Sequence, residues 1–167
     1  LTETDGYTQE ETEFQMARIL EVFRKNGVTE IEEAASAEDA EKLWKLRKSV
    51  GSAAAKLRTN NVSEDVAIPI SRLTDLLSGI SDIVQKHGLP FVIFGHAGDG
   101  NIHPRIMYNR SNPEERQKVL SVAEEIFKLS CSLGGTLTGE HGVGIAKAPY
   151  MALEHDRAAM ELMRSLK

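Results

Sequence analysis

Apolar and polar positions along this chain switch repeatedly between the spacing of a helix face and short apolar runs bounded by turn residues. In residues 8–26, Phe14, Ala17, Ile19 or Leu20, and Phe23 fall on or near one face and Gly27 follows, which predicts an amphipathic helix. A second helix is predicted from Ser36, capped with Asp39 three residues on, carrying Leu43, Trp44, Leu46 and Val50 and fading near Leu57. Residues 71–87 read as a third, closed by Gly88; residues 113–133 as a long fourth after Ser111-Asn112; residues 158–166 as a last. Strand candidates lie between them: the opening Leu1-Thr-Glu-Thr-Asp-Gly6, residues 28–35, and residues 62–69 ending in Ala67-Ile68-Pro69. A hairpin signal at 90–108 and short spacings between elements favour α+β over a parallel α/β sheet. The expected fold is an antiparallel sheet with helices packed on one face, ferredoxin-like, with that unit elaborated or duplicated.

The hairpin carries the first candidate chemistry. Pro90-Phe-Val-Ile-Phe94 enters, Ile102 to Tyr108 leave, and Gly98-Asp99-Gly100-Asn101 make the turn, Gly and Asn being tolerant of positive φ. That turn pairs Ala97 with Ile102 and sets His96 opposite His103, with Cβ atoms roughly 4.5–5.5 Å apart on one face. Two imidazoles at that separation can share a metal ion. Pro104, lacking an N–H, suggests an edge position or the end of regular pairing.

A second Gly-rich stretch, Gly134-Gly135-Thr136-Leu-Thr138-Gly139-Glu140-His141-Gly142-Val-Gly144, supplies a carboxylate and a third histidine. Glu140 is the expected third protein ligand; two His and one carboxylate leave positions open for substrate or water. Zinc, manganese and iron all suit that set. In an extended segment Glu140 and His141 point in opposite directions, so His141 is left as a proton acceptor near neutral pH. Gly139, Gly142 and Gly144 would let the backbone turn sharply and a flat cofactor approach closely. Gly134-Gly135 reads as a helix C-cap and loose turn, and Gly142-Val-Gly144 lacks the third glycine of a dinucleotide fingerprint.

Composition narrows the classes. The 167 residues, 41% hydrophobic and 27% charged, are expected to form a single domain over 1–167. A net charge of −5 with no Lys/Arg cluster argues against nucleic acid. No apolar run is long enough to cross a bilayer. The single Cys131, inside a predicted helix, reads as a small buried hydrophobe, and Met151, Met160 and Met163 as packing residues. A start at Leu1 without initiator methionine suggests a portion excised from a longer protein.

With these residues in view, the chain resembles the C-terminal domain of FAD-linked oxidases, the group that includes glycolate oxidase flavin subunits, D-lactate dehydrogenases and D-2-hydroxyglutarate dehydrogenase. The resemblance runs through the opening Thr-Asp-Gly turn, Leu43-Trp44-Lys-Leu-Arg47, Glu64-Asp65-Val66-Ala67-Ile68-Pro69, Gly95-His96 to His103-Pro104, and Gly135 to Lys147. It implies a substrate domain packed against a separate FAD-binding domain, and metal ligands at His96, His103 and Glu140. His141 becomes the base that takes the hydroxyl proton while the substrate's Cα hydride passes to FAD. Arg47 becomes the substrate carboxylate clamp, although a solvent-facing helix arginine explains it equally; Asn101 a substrate contact, although its turn role would suffice. Gly142 and Gly144 lie at the cofactor side.

The implied substrate is a small 2-hydroxy acid of the glycolate or D-lactate type. The lysine that the 2-hydroxyglutarate branch offers to a second carboxylate is missing from Val62-Ser63-Glu64-Asp65, with Lys56 and Arg58 close by in sequence. Electron-transfer subunits are implied as further partners, and a cytoplasmic location, peripheral to a membrane through such subunits. The chain also stops before the Asp-Pro and Asn-Pro-Gly segment with which family members usually finish, so it is not expected to be active alone. Two other readings compete: a free-standing ferredoxin-like binding or regulatory module whose glycines only make turns, and a metal-dependent hydrolase using Glu140 as base.

Overall fold

The computed structural model describes residues 1–56 and 60–166, which form two compact units, 1–52 and 53 onward. In the first, α1 (Gln9–Lys25) is capped by the Thr8 hydroxyl, which accepts from the Glu11 N–H. Ser36 Oγ accepts from the Asp39 N–H at the start of α2 (Ala37–Ala55), as its sequence position predicts. Both helices therefore appear where the periodicity puts them. The two strands expected at 1–6 and 28–35 do not: both segments lack a ladder. A strand needs a partner, and this unit offers none. Its apolar residues stay accordingly wet, with Phe14 68% and Leu46 65% exposed.

The second unit holds the sheet. Its strands are β1 (Asn60–Ser63), β2 (Val66–Ala67), β3 (Phe91–His96) and β4 (Asn101–Tyr108), and its helices α3 (Leu73–His87), α4 (Pro113–Ser132), the short α5 (Gly144–Lys147) and α6 (Arg157–Leu166). β4 is central, antiparallel to β3 on one side and to both β1 and β2 on the other. β1 and β2 are one strand in two pieces: Ser63 opposes Arg105 and Val66 opposes Ile102, so the register runs straight through Glu64 and Asp65. The break has a cause. Glu64 N–H donates to the Pro104 carbonyl at 2.9 Å, but proline has no N–H to return. Pro104 thus sits mid-strand in the centre of the sheet, not at the expected edge, and interrupts its neighbour instead.

A bridge from Ala67 to Thr136 starts a fourth strand position on the outer side of β2. The resulting βαββαβ order, with the last strand reduced to one bridge, is the ferredoxin-like arrangement anticipated from sequence. Leu76, Ile80 and Val84 of α3 and Val119, Val122, Ile126 and Phe127 of α4 pack on the face carrying Val66, Ile102 and Ile106. Gly88 closes α3 in the left-handed region, and Asn112 caps α4 through the N–H groups of Glu114 and Glu115. Met151 and Cys131 pack against this core, and burial pushes the Cys131 thiol up; Met163 on α6 stays 43% exposed. No helix among the described residues is long and apolar enough to cross a membrane.

The hairpin turn is Ala97 to Gly100, one position earlier than expected, so His96 pairs with Asn101 and Phe94 with His103. Gly100 explains the shift. Its φ is +67°, and a Cβ there would lie 2.0 Å from the Ile68 carbonyl oxygen, so only glycine fits where the turn returns to β4. Gly98 has open space and no positive φ. Gly100→Ala should therefore lower stability by about 2 kcal/mol or more, and Gly98→Ala by less than about 0.5 kcal/mol, in urea unfolding.

Candidate functional site

The face of the sheet opposite α3 and α4 carries the polar residues. Across β3, β4 and the β1–β2 strand, alternate positions bring His96 beside Asn101, and Phe94, His103 and Asp65 into one row, with Arg105 a step further along β4. His96 and His103 are diagonal neighbours rather than directly opposed, yet remain on one face because the register error is two residues, a full strand period. Their rings lie 5.5 Å apart, edge to face. Phe94 packs at 5.8 Å from the His103 ring and carries the Arg105 guanidinium at 5.2 Å on its own ring.

Glu140 and His141 reach this face from the loop after Thr136. Glu140 Oε1 lies 3.1 Å from His103 Nε2, 3.6 Å from His96 Nε2 and 3.7 Å from His141 Nε2. His141 stacks on His103 at 5.1 Å. The expectation that Glu140 and His141 point oppositely fails, because the segment is a bend rather than a strand. The bend wraps a buried carboxylate: Asp65 Oδ2 accepts from Thr138 Oγ1 at 2.7 Å and from the N–H groups of Gly139, Glu140 and His141 at 2.9, 3.1 and 2.9 Å. A Cβ at Gly139 would come within 2.4 Å of the Asn101 amide, which would then have to shift.

Lys147, buried on α5, secures the loop from behind. Its Nζ donates to the carbonyls of Asp65 at 2.6 Å and Leu137 at 2.7 Å, and lies 3.7 Å from Glu64. Burial lowers the Lys147 pKa and raises that of Glu64, each partly offset by the other's charge. For Asp65, burial pushes the pKa up, but the loop N–H donors, the Thr138 hydroxyl and the Lys147 charge together bring it down to about 2. Burial lowers the pKa of His103 against the pull of Asp65 and Glu140, which favours a neutral ring with a lone pair to offer.

Among the described residues, two groups of side chains have ligand atoms within 4.8 Å of one another: His96, His103 and Glu140, and Asp65, His103 and His141. Magnitudes separate them. Recruiting Asp65 would strip a buried acceptor from its donors, at about 1–3 kcal/mol for each one left unsatisfied. Glu140 has no such commitment and is half exposed. Tetrahedral ligands at roughly 2.0–2.2 Å from an ion sit about 3.4 Å from one another, close to the 3.1 and 3.6 Å separations of His103 and His96 from Glu140. The donor set therefore suits a divalent cation at His96, His103 and Glu140.

Asn101 is not a turn residue. It opens β4 beside His96, 6% exposed, and its Oδ1 is buried without a hydrogen bond among the described residues. Gly142 and Gly144 follow the loop, both with positive φ. Arg47 lies on α2 in the first unit, where Trp44 and Arg47 line a groove with Met16, Leu20 and Phe23 of α1. Arg58 lies outside the described residues. Sequence reasoning assigned no role to Asp65, Lys147 or Arg105. For Arg105 a signal existed, since it stands two residues from His103 on a strand and so shares its face. Asp65 and Lys147 are joined by contacts 82 residues apart, which no local spacing encodes.

Residues 1–167 match the family model for FAD linked oxidases, C-terminal domain. The chain is 36% identical to the glycolate oxidase subunit GlcD of Bacillus subtilis over 167 residues, all of this chain and 35% of that protein. It is 34% identical to a probable mitochondrial D-lactate dehydrogenase of Danio rerio, covering 93% of this chain and 32% of that one. It is 26% identical to the D-2-hydroxyglutarate dehydrogenase of Stutzerimonas stutzeri, covering all of this chain and 36% of that one. The chain thus spans about a third of the length of the curated relatives it matches.

Asp65 also sets an acid limit. Its folded pKa of about 2 lies below the ordinary 3.8, so its contribution is complete above about pH 4 and is lost as pH falls through 2. The stability gap between wild type and Asp65→Asn should be about 2 kcal/mol smaller at pH 2 than at pH 6, measured by urea unfolding.

Proposed function

We propose that this chain, which belongs to the FAD-linked oxidase C-terminal domain family, is the substrate domain of a flavoprotein that oxidises a small 2-hydroxy acid of the glycolate or D-lactate type. The observation that supports this most directly is the convergence of His96, His103 and Glu140 beside a further imidazole, His141. When bound, a divalent cation of zinc, manganese or iron at those three residues supplies Lewis acidity at the substrate oxygens, and FAD, held mainly by another domain of the parent protein, supplies a two-electron acceptor.

In this reading this chain's own residues bind, orient and deprotonate. His141 takes the hydroxyl proton on Nε2, leaving a 2-oxo acid once the Cα hydride has gone. Arg47 is the carboxylate clamp implied by the Trp44-Lys-Leu-Arg47 resemblance, and Arg105 is a second guanidinium, on the same face as His103. Asn101, at the start of β4 beside His96, is a further substrate contact. Gly142 and Gly144 leave the backbone open to a flat ring. Electron-transfer subunits are the expected further partners.

Metal analysis of the purified chain tests the reading. Wild type should carry about one equivalent, His103→Ala less than about a tenth, and His141→Gln the wild-type amount. In the parent flavoprotein His141→Gln should lower kcat about 10²–10⁴-fold, and Arg105→Met should raise KM for the 2-hydroxy acid about tenfold or more. A wild-type chain that takes up no metal after reconstitution with zinc, manganese and iron in turn would sink the proposal.

A further inference from the structure

Asp65 is fully buried and stands directly across the β2–β4 register from His103. Its two oxygens are used unequally, with the Glu140 N–H bridging them at 3.1 Å from Oδ2 and 3.3 Å from Oδ1. Oδ2 takes the Thr138 hydroxyl and three successive backbone N–H groups, Gly139 to His141. Oδ1 lies 3.7 Å from His103 Nδ1, a buried ring nitrogen without a hydrogen bond among the described residues. The opposite ring nitrogen, Nε2, is 3.1 Å from Glu140 Oε1. One carboxylate therefore touches both halves of the site, the strand that carries His103 and the bend that carries Glu140 and His141.

We infer that Asp65 is a positioning residue: it clamps the 139–141 backbone so that Glu140 and His141 present their side chains to His103 Nε2, and its Oδ1 stands at Nδ1 to take the ring N–H once a cation occupies Nε2. Only a carboxylate can do both. Asparagine offers one acceptor oxygen where the loop supplies donors alone, and its NH2 would oppose an N–H. A ligating histidine whose second nitrogen is held by a carboxylate is also fixed in ring orientation and made more basic. The tautomer and the effect on a bound ion rest on the metal reading above; the clamp does not.

Three readouts on the same chain test the inference. In zinc-loaded wild type at pH 8, the ¹⁵N shifts of the imidazole should report His103 as Nδ1–H with Nε2 on the metal; a ring bound through Nδ1 would overturn that half of the inference without any variant. In metal-free Asp65→Asn, amide exchange at Gly139, Glu140 and His141 should rise about tenfold or more while β4 amides hold, and zinc affinity by chelator competition should fall about 10–100-fold. Thr138→Val, which removes one donor and leaves the carboxylate, should retain the tautomer and stay within about threefold of wild type in affinity. It carries the comparison if Asp65→Asn unfolds throughout, and a lost tautomer in this variant would count against Asp65 as the holding group. Unchanged exchange at 139–141 in a folded Asp65→Asn would refute the clamp. Equal zinc affinity in wild type and Asp65→Asn would refute the effect on the ligands while leaving the metal site standing. No zinc affinity in wild type, with exchange as expected, would remove the metal reading and leave the clamp on 139–141 intact.

Discussion

A fully buried carboxylate with four donors on one oxygen is the constraint around which the second unit is arranged. Placing Asp65 inside the protein is unfavourable unless the charge is met, and the chain meets it by bending the 138–141 segment around it. That bend turns two adjacent side chains toward the same place, which an extended strand cannot do. Lys147 then closes the arrangement from the other side through the Asp65 and Leu137 carbonyls. The chemistry-bearing residues are consequences of this packing as much as of their own positions.

The sheet adds a second constraint, Pro104. Its missing N–H splits the neighbouring strand at Glu64 and Asp65 while leaving the register intact. The backbone there is released from one ladder bond. Asp65 can then meet a loop instead of only a strand neighbour, and Glu64 reaches Lys147. Burial of that second acid and of the lysine shifts both pKa values toward neutrality of charge, so each depends on the other. The interior of this unit carries polar groups on one face of β4 and Leu, Ile and Val on the other, and α3 and α4 cover only the apolar face.

The membership of the chain in its family and the convergence of its histidines bear on different questions. The first identifies what kind of longer protein carries such a domain, since a relative named as a glycolate oxidase subunit shares its whole extent and one named as a probable D-lactate dehydrogenase shares 93% of it. The second limits what this piece can contribute: imidazole and carboxylate donors, one more imidazole, and a guanidinium on a common face. Acid–base work and the orientation of an oxygen-rich substrate match that inventory. Hydride acceptance does not.

Sequence alone determined much of this. Capping residues and periodicity located α1, α2, α3 and α4 within a residue or two, because those signals are local. The Gly-rich hairpin brought His96 and His103 to one face, and did so despite a shifted turn, because a slip of two residues preserves strand alternation. The strands expected at 1–6 and 28–35 failed for the complementary reason: apolar runs define a willingness to pair, and pairing needs a partner elsewhere. Gly100 against the Ile68 carbonyl set the turn, a contact invisible in the hairpin's own residues. Glu140 and His141 were legible as residue types, but their common direction was decided by Asp65, more than 70 positions earlier in the chain. Local propensity chooses elements and their faces; only tertiary packing, by demanding that a buried charge find its donors, decides where a loop turns and what its side chains meet.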